Sequence, residues 1–221
     1  MQRNETEKRE KMNQRDVNRT LINQFVQQQD LNEQQQKTLE QWFLTYESKL
    51  QKLYEYYKNV FNSNCDMHTE KGITLPKEQW KILISGAIEL MQRILPLGSV
   101  VDLKKERLQG AFPKLEQVEK VRVVITQRFL SYTDEGYFTY AGVIYPVGNL
   151  TGSQVIHFNS QMVQKVVHLG YEDEQDSAYV YLTKQEYILQ KGKRSYEFAS
   201  KEEGRKLREK MEGRDVEGNK N

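Results

Sequence analysis

The sequence predicts an α+β protein: N-terminal helices, namely a long heptad helix and a second helix, then a small, mostly antiparallel β-sheet with one short helix. Three observations carry this. Leu39, Phe43, Tyr46, Leu50, Leu53, Tyr57 and Val60 recur at alternating steps of four and three, the spacing of a helical seam. Between Val121 and Tyr145, apolar and polar residues alternate in two runs around Asp134-Glu-Gly136, the pattern of a β-hairpin. Pro96 with Gly98, and Pro146 with Gly148, punctuate the chain where helix gives way to strand and where the returning strand stops.

The totals narrow the function classes. The 221 residues suffice for one sizeable core with flanking elements. Hydrophobic residues make up 37% and charged residues 29%, with a mean hydropathy of -0.82, so exposed helix or disordered ends are expected beside a smaller core. Lys+Arg 33 against Asp+Glu 31 leaves a net charge of +2, which demands neither nucleic acid nor an anionic membrane as partner. The single Cys65 excludes an intrachain disulfide framework and a multi-cysteine metal site, and it fits a reducing compartment. No apolar run follows Met1-Gln-Arg-Asn-Glu5, so no signal peptide is expected. No window approaches the ~20 apolar residues of a membrane-spanning helix. The simplest location is the cytoplasm.

Residues 1–29 read as a polar N-terminal extension. Its one apolar patch, Leu21, Ile22, Phe25 and Val26, has helical spacing and predicts a nascent or partner-dependent helix around Asn18–Gln28; the alternative is a frayed polar tail. Residues 30–94 form the helical section. Asp30 with Glu33 has capping-box spacing and opens the heptad helix, which Trp42, Tyr54 and Phe61 widen and Asn62–Asp66 ends. Such a stripe ordinarily packs within its own chain. The sharper reading is a docking face for another protein, with Phe43, Tyr46, Leu50, Leu53 and Tyr57 as the partner-binding residues. Gly72 breaks the chain, Pro76 suits the first turn of a second helix, and Trp80, Leu83, Ala87, Met91 and Ile94 share one of its faces. The two helices are expected to form a hairpin across Asn62–Leu75.

Residues 95–176 form the β-rich core. Strands are predicted over Ser99–Leu103, Val121–Leu130, Gly136–Tyr145 and Ser153–Phe158, with a polar loop over Lys104–Glu119 and a turn over Ser131–Gly136. Asn159 is placed to cap a short helix over Ser160–Lys165, Val166–Leu169 reads as extended, and Gly170–Asp176 as an acidic turn. Residues 177–221 form a polar C-terminal extension: strand over Ala178–Leu182, helix or strand over Lys184–Gln190, a charged helix over Glu202–Met211 and disorder over Asp215–Asn221.

Residue sets that would declare a chemistry are sparse. His68, His157 and His168 are the only histidines. His157 and His168 could converge from two strands, but two imidazoles without clustered carboxylates make a thin metal site. Cys65 and His68 share a polar loop with no third group to orient them, so an inert cysteine is expected. Glu172, Asp173, Glu174 and Asp176 lack the glycine placement of a calcium loop and read as a solvated turn. No phosphate-binding loop, dinucleotide fingerprint or nucleophile elbow occurs. The thirteen tyrosines fit sheet and helix packing, and equally a protein interface. No catalytic, cofactor or metal residue is expected.

Four blocks carry a family resemblance: Ile94-Leu-Pro-Leu-Gly-Ser-Val-Val-Asp-Leu-Lys104, Tyr137-Phe-Thr-Tyr-Ala-Gly-Val-Ile-Tyr-Pro-Val-Gly148, Phe158-Asn159, and Val166-Val-His-Leu-Gly-Tyr-Glu-Asp173. On these blocks Leu90–Asp176 resembles the domain of unknown function 4176 family of Gram-positive bacteria. The heptad helix and the C-terminal tail lie outside the resemblance, and Lys104–Glu119 looks longer than the family's usual connection. Members typically sit beside type VIIb secretion genes and LXG-class toxins. The resemblance therefore implies a non-enzymatic cytoplasmic accessory, a chaperone or targeting adaptor, that binds such a toxin before export. It implies no catalytic residues.

Trp42 and Trp80 are not followed by the x-Gly of a type VII substrate turn, and no tyrosine has Asp or Glu four residues later. The chain thus reads as a factor that stays inside. Its expected partner is a protein, with no nucleic acid, membrane or cofactor. One alternative is an immunity protein that neutralises the cognate toxin. Another is an enzyme whose pocket would hold His157 or His168.

Overall fold

A computed structural model describes residues 2–62, 67–68, 72–108, 119–132, 134, 136–149, 155–199 and 202–207. The architecture is α+β, helices first and an open antiparallel sheet after them, as the sequence predicts. The chain forms two compact units: residues up to Arg93 with Lys184–Lys191, and residues Ile94–Thr183 with the chain from Gly192 onward.

In the helical unit the first helix is α1, Gln2–Gln27. It is longer than the Asn18–Gln28 segment expected, and its apolar patch is core rather than tail. Leu21, Ile22, Phe25 and Val26 are at most 1% exposed, so the segment read as an extension contributes to the unit's packing. Helix α2, Glu33–Leu44, is capped by Asn32, not by Asp30. The Asn32 side chain accepts the Gln35 N–H at 2.9 Å, and the Gln35 side chain accepts the Asn32 N–H at 3.1 Å. Asn is as good an N-cap as Asp, and Gln at the third helical position completes the reciprocal box.

The single heptad helix expected over Asp30–Phe61 is instead two helices. After α2 the chain passes through a 3₁₀ turn, Glu47–Lys49, into α3, Leu50–Asn62. Thr45 supplies the local cause: its hydroxyl donates to Trp42 O at 2.6 Å, and its N–H is shared by the Gln41 and Trp42 carbonyls. From α1, Asn18 donates to Glu47 at 2.8 Å and holds the break in place. A seam interrupted by a 3₁₀ turn cannot keep one line of residues on one face.

Helix α4, Lys77–Met91, is the centre of this unit. It is preceded by a two-stranded pair, β1 (Met67–His68) and β2 (Thr74–Leu75). Every residue from Leu83 to Met91 is buried, and both α1 and α3 pack on α4. Gly86 permits the close approach of α1: a Cβ there would lie 2.3 Å from Phe25 Cζ. Trp80 is sealed and meets Trp42 edge-on at 5.8 Å. The carbonyls at the C-terminal end of α4 receive a buried cation. Lys184 Nζ donates to Leu90 O and to Gln92 O, each at 2.7 Å, in keeping with the preference of helix C-termini for positive charge.

In the sheet unit, strands β3 (Val100–Leu103), β4 (Val121–Leu130), β5 (Gly136–Ile144), β6 (Ile156–Phe158) and β7 (Val163–His168) lie in the order β6-β5-β4-β3-β7. Every neighbouring pair in that order is antiparallel. A short β8, Arg194–Ser195, runs parallel to the start of β5. Asn159 does not cap a helix over Ser160–Lys165. Only Ser160–Met162 is helical, as a 3₁₀ turn, and β7 begins at Val163. The Asn159 side-chain amide oxygen accepts instead from Thr139 N–H at 3.1 Å and from Ser195 Oγ at 3.3 Å, tying β5 to β8.

Ala178–Leu182, expected as strand, lies inside helix α5, Glu174–Lys184, which continues as a π-helix over Gln185–Gln190. Asp173 opens α5 by accepting the Asp176 N–H at 2.9 Å, and Glu174 and Asp176 place negative charge in its first turn. The acidic turn is thus a helix start. Residues 202–207 are helical within the tail expected over Glu202–Met211. Gly110, Pro113, Ser153 and Asp215–Asn221 lie outside the described residues.

The turn before β3 is where the resemblance blocks meet. Gly98 has φ +77, and its N–H donates to Ile125 O at 2.9 Å. The buried Ser99 hydroxyl donates to Pro96 O at 2.8 Å and accepts the Gly170 N–H at 3.0 Å. Leu95 N–H donates to Tyr140 Oη at 2.9 Å; burial pushes the Tyr140 phenol pKa up, and that donor partly opposes it.

Two predictions follow from this packing. A Cβ on Gly170 would lie 2.0 Å from the backbone oxygen of Leu97, whereas nothing lies within 4 Å of one on Gly98. Gly170→Ala is therefore expected to cost about 2–3 kcal/mol, and Gly98→Ala only the left-handed backbone penalty of about 1–2 kcal/mol; urea unfolding of both variants gives the comparison. Burial pushes Lys184 down to about 7, with Glu89 partly opposing. The unfolded chain then binds the extra proton above that pH. Unfolding free energy should rise between pH 7 and pH 10, by up to about 1.4 kcal/mol per pH unit, and Lys184→Met should flatten the slope.

Candidate functional site

The five residues expected to bind a partner do not form one exposed face. Phe43 and Leu53 are completely buried in the helical unit and serve as core. Tyr46, Leu50 and Tyr57 are half-buried. Trp42, expected to widen the stripe, is packed among Phe43, Tyr46, Tyr56 and Trp80 at ring separations of 5.1–5.8 Å. Intrachain packing has absorbed the greater part of the seam.

The histidines do not converge. His157 sits on β6 and His168 on β7, the two outermost strands of the sheet order, with β5, β4 and β3 between them. His157 Nε2 lies 2.6 Å from Tyr132 Oη and stacks beside Phe138 at 5.4 Å, an aromatic edge cluster. Cys65 and the His68 side chain lie outside the described residues. Among the described residues no group of three or more His, Cys, Asp or Glu is placed to hold a metal, and no helix is long and apolar enough to cross a membrane.

Among the described residues the helical unit carries grooves of about 310 and 360 Å³. The first runs along α1 and α2, where Asn23 donates to Glu40 at 3.0 Å. The second is lined chiefly by glutamines: Gln24, Gln27, Gln28, Gln185 and Gln190. Amide linings of this kind bind by hydrogen bonding and bring no acid–base pair to a reacting atom.

The two faces of the sheet differ. Register partners share a face. Val101 with Val123 and Leu103 with Val121 lie on one side, each at most 2% exposed. Val100 with Val124, Val124 with Val143, and Asp102 with Arg122 lie on the other, where all three valines are half-buried. Arg122 grips Asp102 through Nε at 2.7 Å and its second nitrogen at 3.1 Å. That hydrogen bond, helped by the charges of Arg122, Lys120 and Lys165, holds the Asp102 carboxyl below its ordinary range against the opposing effect of burial. The sequence does carry a signal for this face: Asp102 interrupts a run of valines, and Lys120 and Arg122 alternate with Val121 and Val123.

On the buried face, Arg128 of β4 reaches Asp176 of α5 through two nitrogens, at 2.7 and 3.2 Å. Both side chains are largely withdrawn from water, at 5% and 15% exposed. Phe129 adopts φ 54, which breaks the strand's alternation; Arg128 and Phe129, consecutive in sequence, both approach the Tyr179 ring, at 5.1 and 6.4 Å. This cluster fixes α5 to the sheet.

The sheet unit is thus an α+β module whose specific polar contacts hold backbone together. In comparison with known families, residues 94–179 match the model described as "Domain of unknown function (DUF4176)". The match covers the sheet from the turn before β3 to the middle of α5. No curated protein and no solved structure matches the chain.

Removing one partner of the Arg128–Asp176 pair strands the other in the interior. Arg128→Met is expected to cost about 3–5 kcal/mol, and to raise amide hydrogen exchange first in α5; a mass-spectrometric exchange time course reads both.

Proposed function

We propose that this protein is a non-enzymatic cytoplasmic accessory of type VIIb secretion, a chaperone or targeting adaptor that binds an LXG-class toxin before export. The observation that carries this reading is how residues 94–179 spend their distinctive side chains. Ser99, Tyr140, Asn159 and Gly170 hold strands and turns together. Among what the same segment leaves outside are six large apolar residues: Leu97, Tyr145, Val147, Val166, Val167 and Leu169 are each 40–52% exposed. Exposed apolar residues beside a rigid hydrogen-bonded frame suit recognition of another polypeptide, where a specific interface buries about 1,600 Å² in total. The accessory would act by covering apolar toxin surface until export.

The experiment is co-expression with an LXG-class toxin of the producing strain. The toxin is expected to co-purify in a defined ratio, and deletion of the accessory gene to abolish toxin accumulation while the producer grows normally. A producer that instead dies or slows on deletion identifies an immunity protein. A toxin that neither co-purifies nor changes in abundance removes both readings.

A further inference from the structure

We propose that the half-buried patch of the sheet built on Val100, Val124 and Val143 and fenced by Lys120, Arg122 and Lys165 docks an acidic amphipathic helix of another protein. This rests on the accessory reading and adds to it a surface and a partner chemistry.

The apolar part follows from register. Val143, Val124 and Val100 stand side by side on β5, β4 and β3, and all three are only half-buried, whereas Val101, Leu103, Val121 and Val123 on the opposite face are at most 2% exposed. From β5 to β7 is three strand spacings of about 4.8 Å, roughly 14 Å, or about three turns of helix. A helix with apolar residues at every third and fourth position would cover that row, as helices cover open sheet faces within domains.

The charge part chooses the partner. Asp102 lies between Arg122 on one side and Lys165 on the other in the cross-strand register. Lys120, just ahead of β4, is near enough for its charge to act on the Asp102 carboxyl. Asp102 is already taken by the two-pronged grip of Arg122. Glu119 lies 4.0 Å from Lys120 but is itself 91% exposed. Lys165 has no ion-pair partner among the described residues. Among the described residues three cations therefore flank the valines against Asp102, which Arg122 holds, and the exposed Glu119, and the charge left over is positive. A second copy of the chain would bring the same cations against each other, which disfavours self-association through this face.

Strand addition at β7 is a poorer fit. The pairing of β7 with β3 slips register between Val100 and Val101 and again between Asp102 and Leu103, and Lys165 sits on the strand. Bulges and lysines are the devices that blunt an edge against added strands.

The test uses the full chain and the co-expressed toxin as probe. Lys120→Glu/Lys165→Glu is compared with Lys120→Arg/Lys165→Arg, with thermal unfolding as the check on folding. A photo-crosslinking residue is placed at position 143, with a control at position 182 on α5. The expected result is binding at least about tenfold weaker for the glutamate pair, with a slower on-rate and a flatter salt dependence. The arginine pair should bind as the parent does, and crosslinks from position 143 should map to an acidic helical segment of the toxin. If the toxin binds the glutamate pair as tightly as the parent, or crosslinks only from position 182, this face is wrong and the accessory reading stands. If the parent chain itself fails to bind the toxin, the accessory reading fails and this inference falls with it.

Discussion

The sheet unit depends on one buried hydroxyl. Ser99 donates to Pro96 O and accepts the N–H of Gly170, seventy-one residues away. The first bond tightens the turn that feeds β3, and the second closes the far end of β7 against that turn. Because Gly170 has no side chain, its backbone can reach Leu97 O, a distance no Cβ could tolerate. At its other end β7 is held by Lys104, whose N–H and ammonium donate to Met162 O and Gln161 O, each at 2.8 Å, and between the two ends its ladder to β3 is irregular.

The helical unit rests on a different constraint, the burial of α4. A helix buried throughout its C-terminal part, from Leu83 to Met91, must have its last carbonyls satisfied inside the protein. The ammonium of Lys184 meets two of them. The desolvation of that ammonium, visible in its lowered pKa, is offset by the carbonyls it bonds and by Glu89 on the helix itself. Gly86 and Phe25 then set how closely α1 approaches, and Thr45 with Glu47 sets where the next segment turns.

These particulars explain which features were legible in the sequence. Strands β4 and β5 appear there almost residue for residue, because a two-sided sheet stamps a period of two on its residues. The short 3₁₀ break at Glu47–Lys49 was invisible: the apolar spacing runs straight through it, and what makes the turn is a threonine bonding its own helix together with an asparagine from α1. Tertiary contact also decided α5. Tyr179-Val-Tyr-Leu182 has the composition of a strand, but Asp173 caps a helix just ahead of it and Arg128 holds Asp176 from across the sheet. The candidate surface was half legible. Alternation placed Val100, Val124 and Val143 on strands, yet only the cross-strand register showed that they share a face with Asp102 and Arg122.

The two units are interleaved along the chain, since Lys184–Lys191 belongs with the N-terminal helices and the chain from Gly192 returns to the sheet. During translation the ribosome must therefore release Lys184 before α4 gains its buried cation, and Ser195 before β5 gains β8. Neither unit can be complete while the nascent chain is shorter than this. A single proteolytic nick between them could not liberate either one whole. The order of synthesis thus leaves the completion of both the helices and the sheet to the last part of the chain.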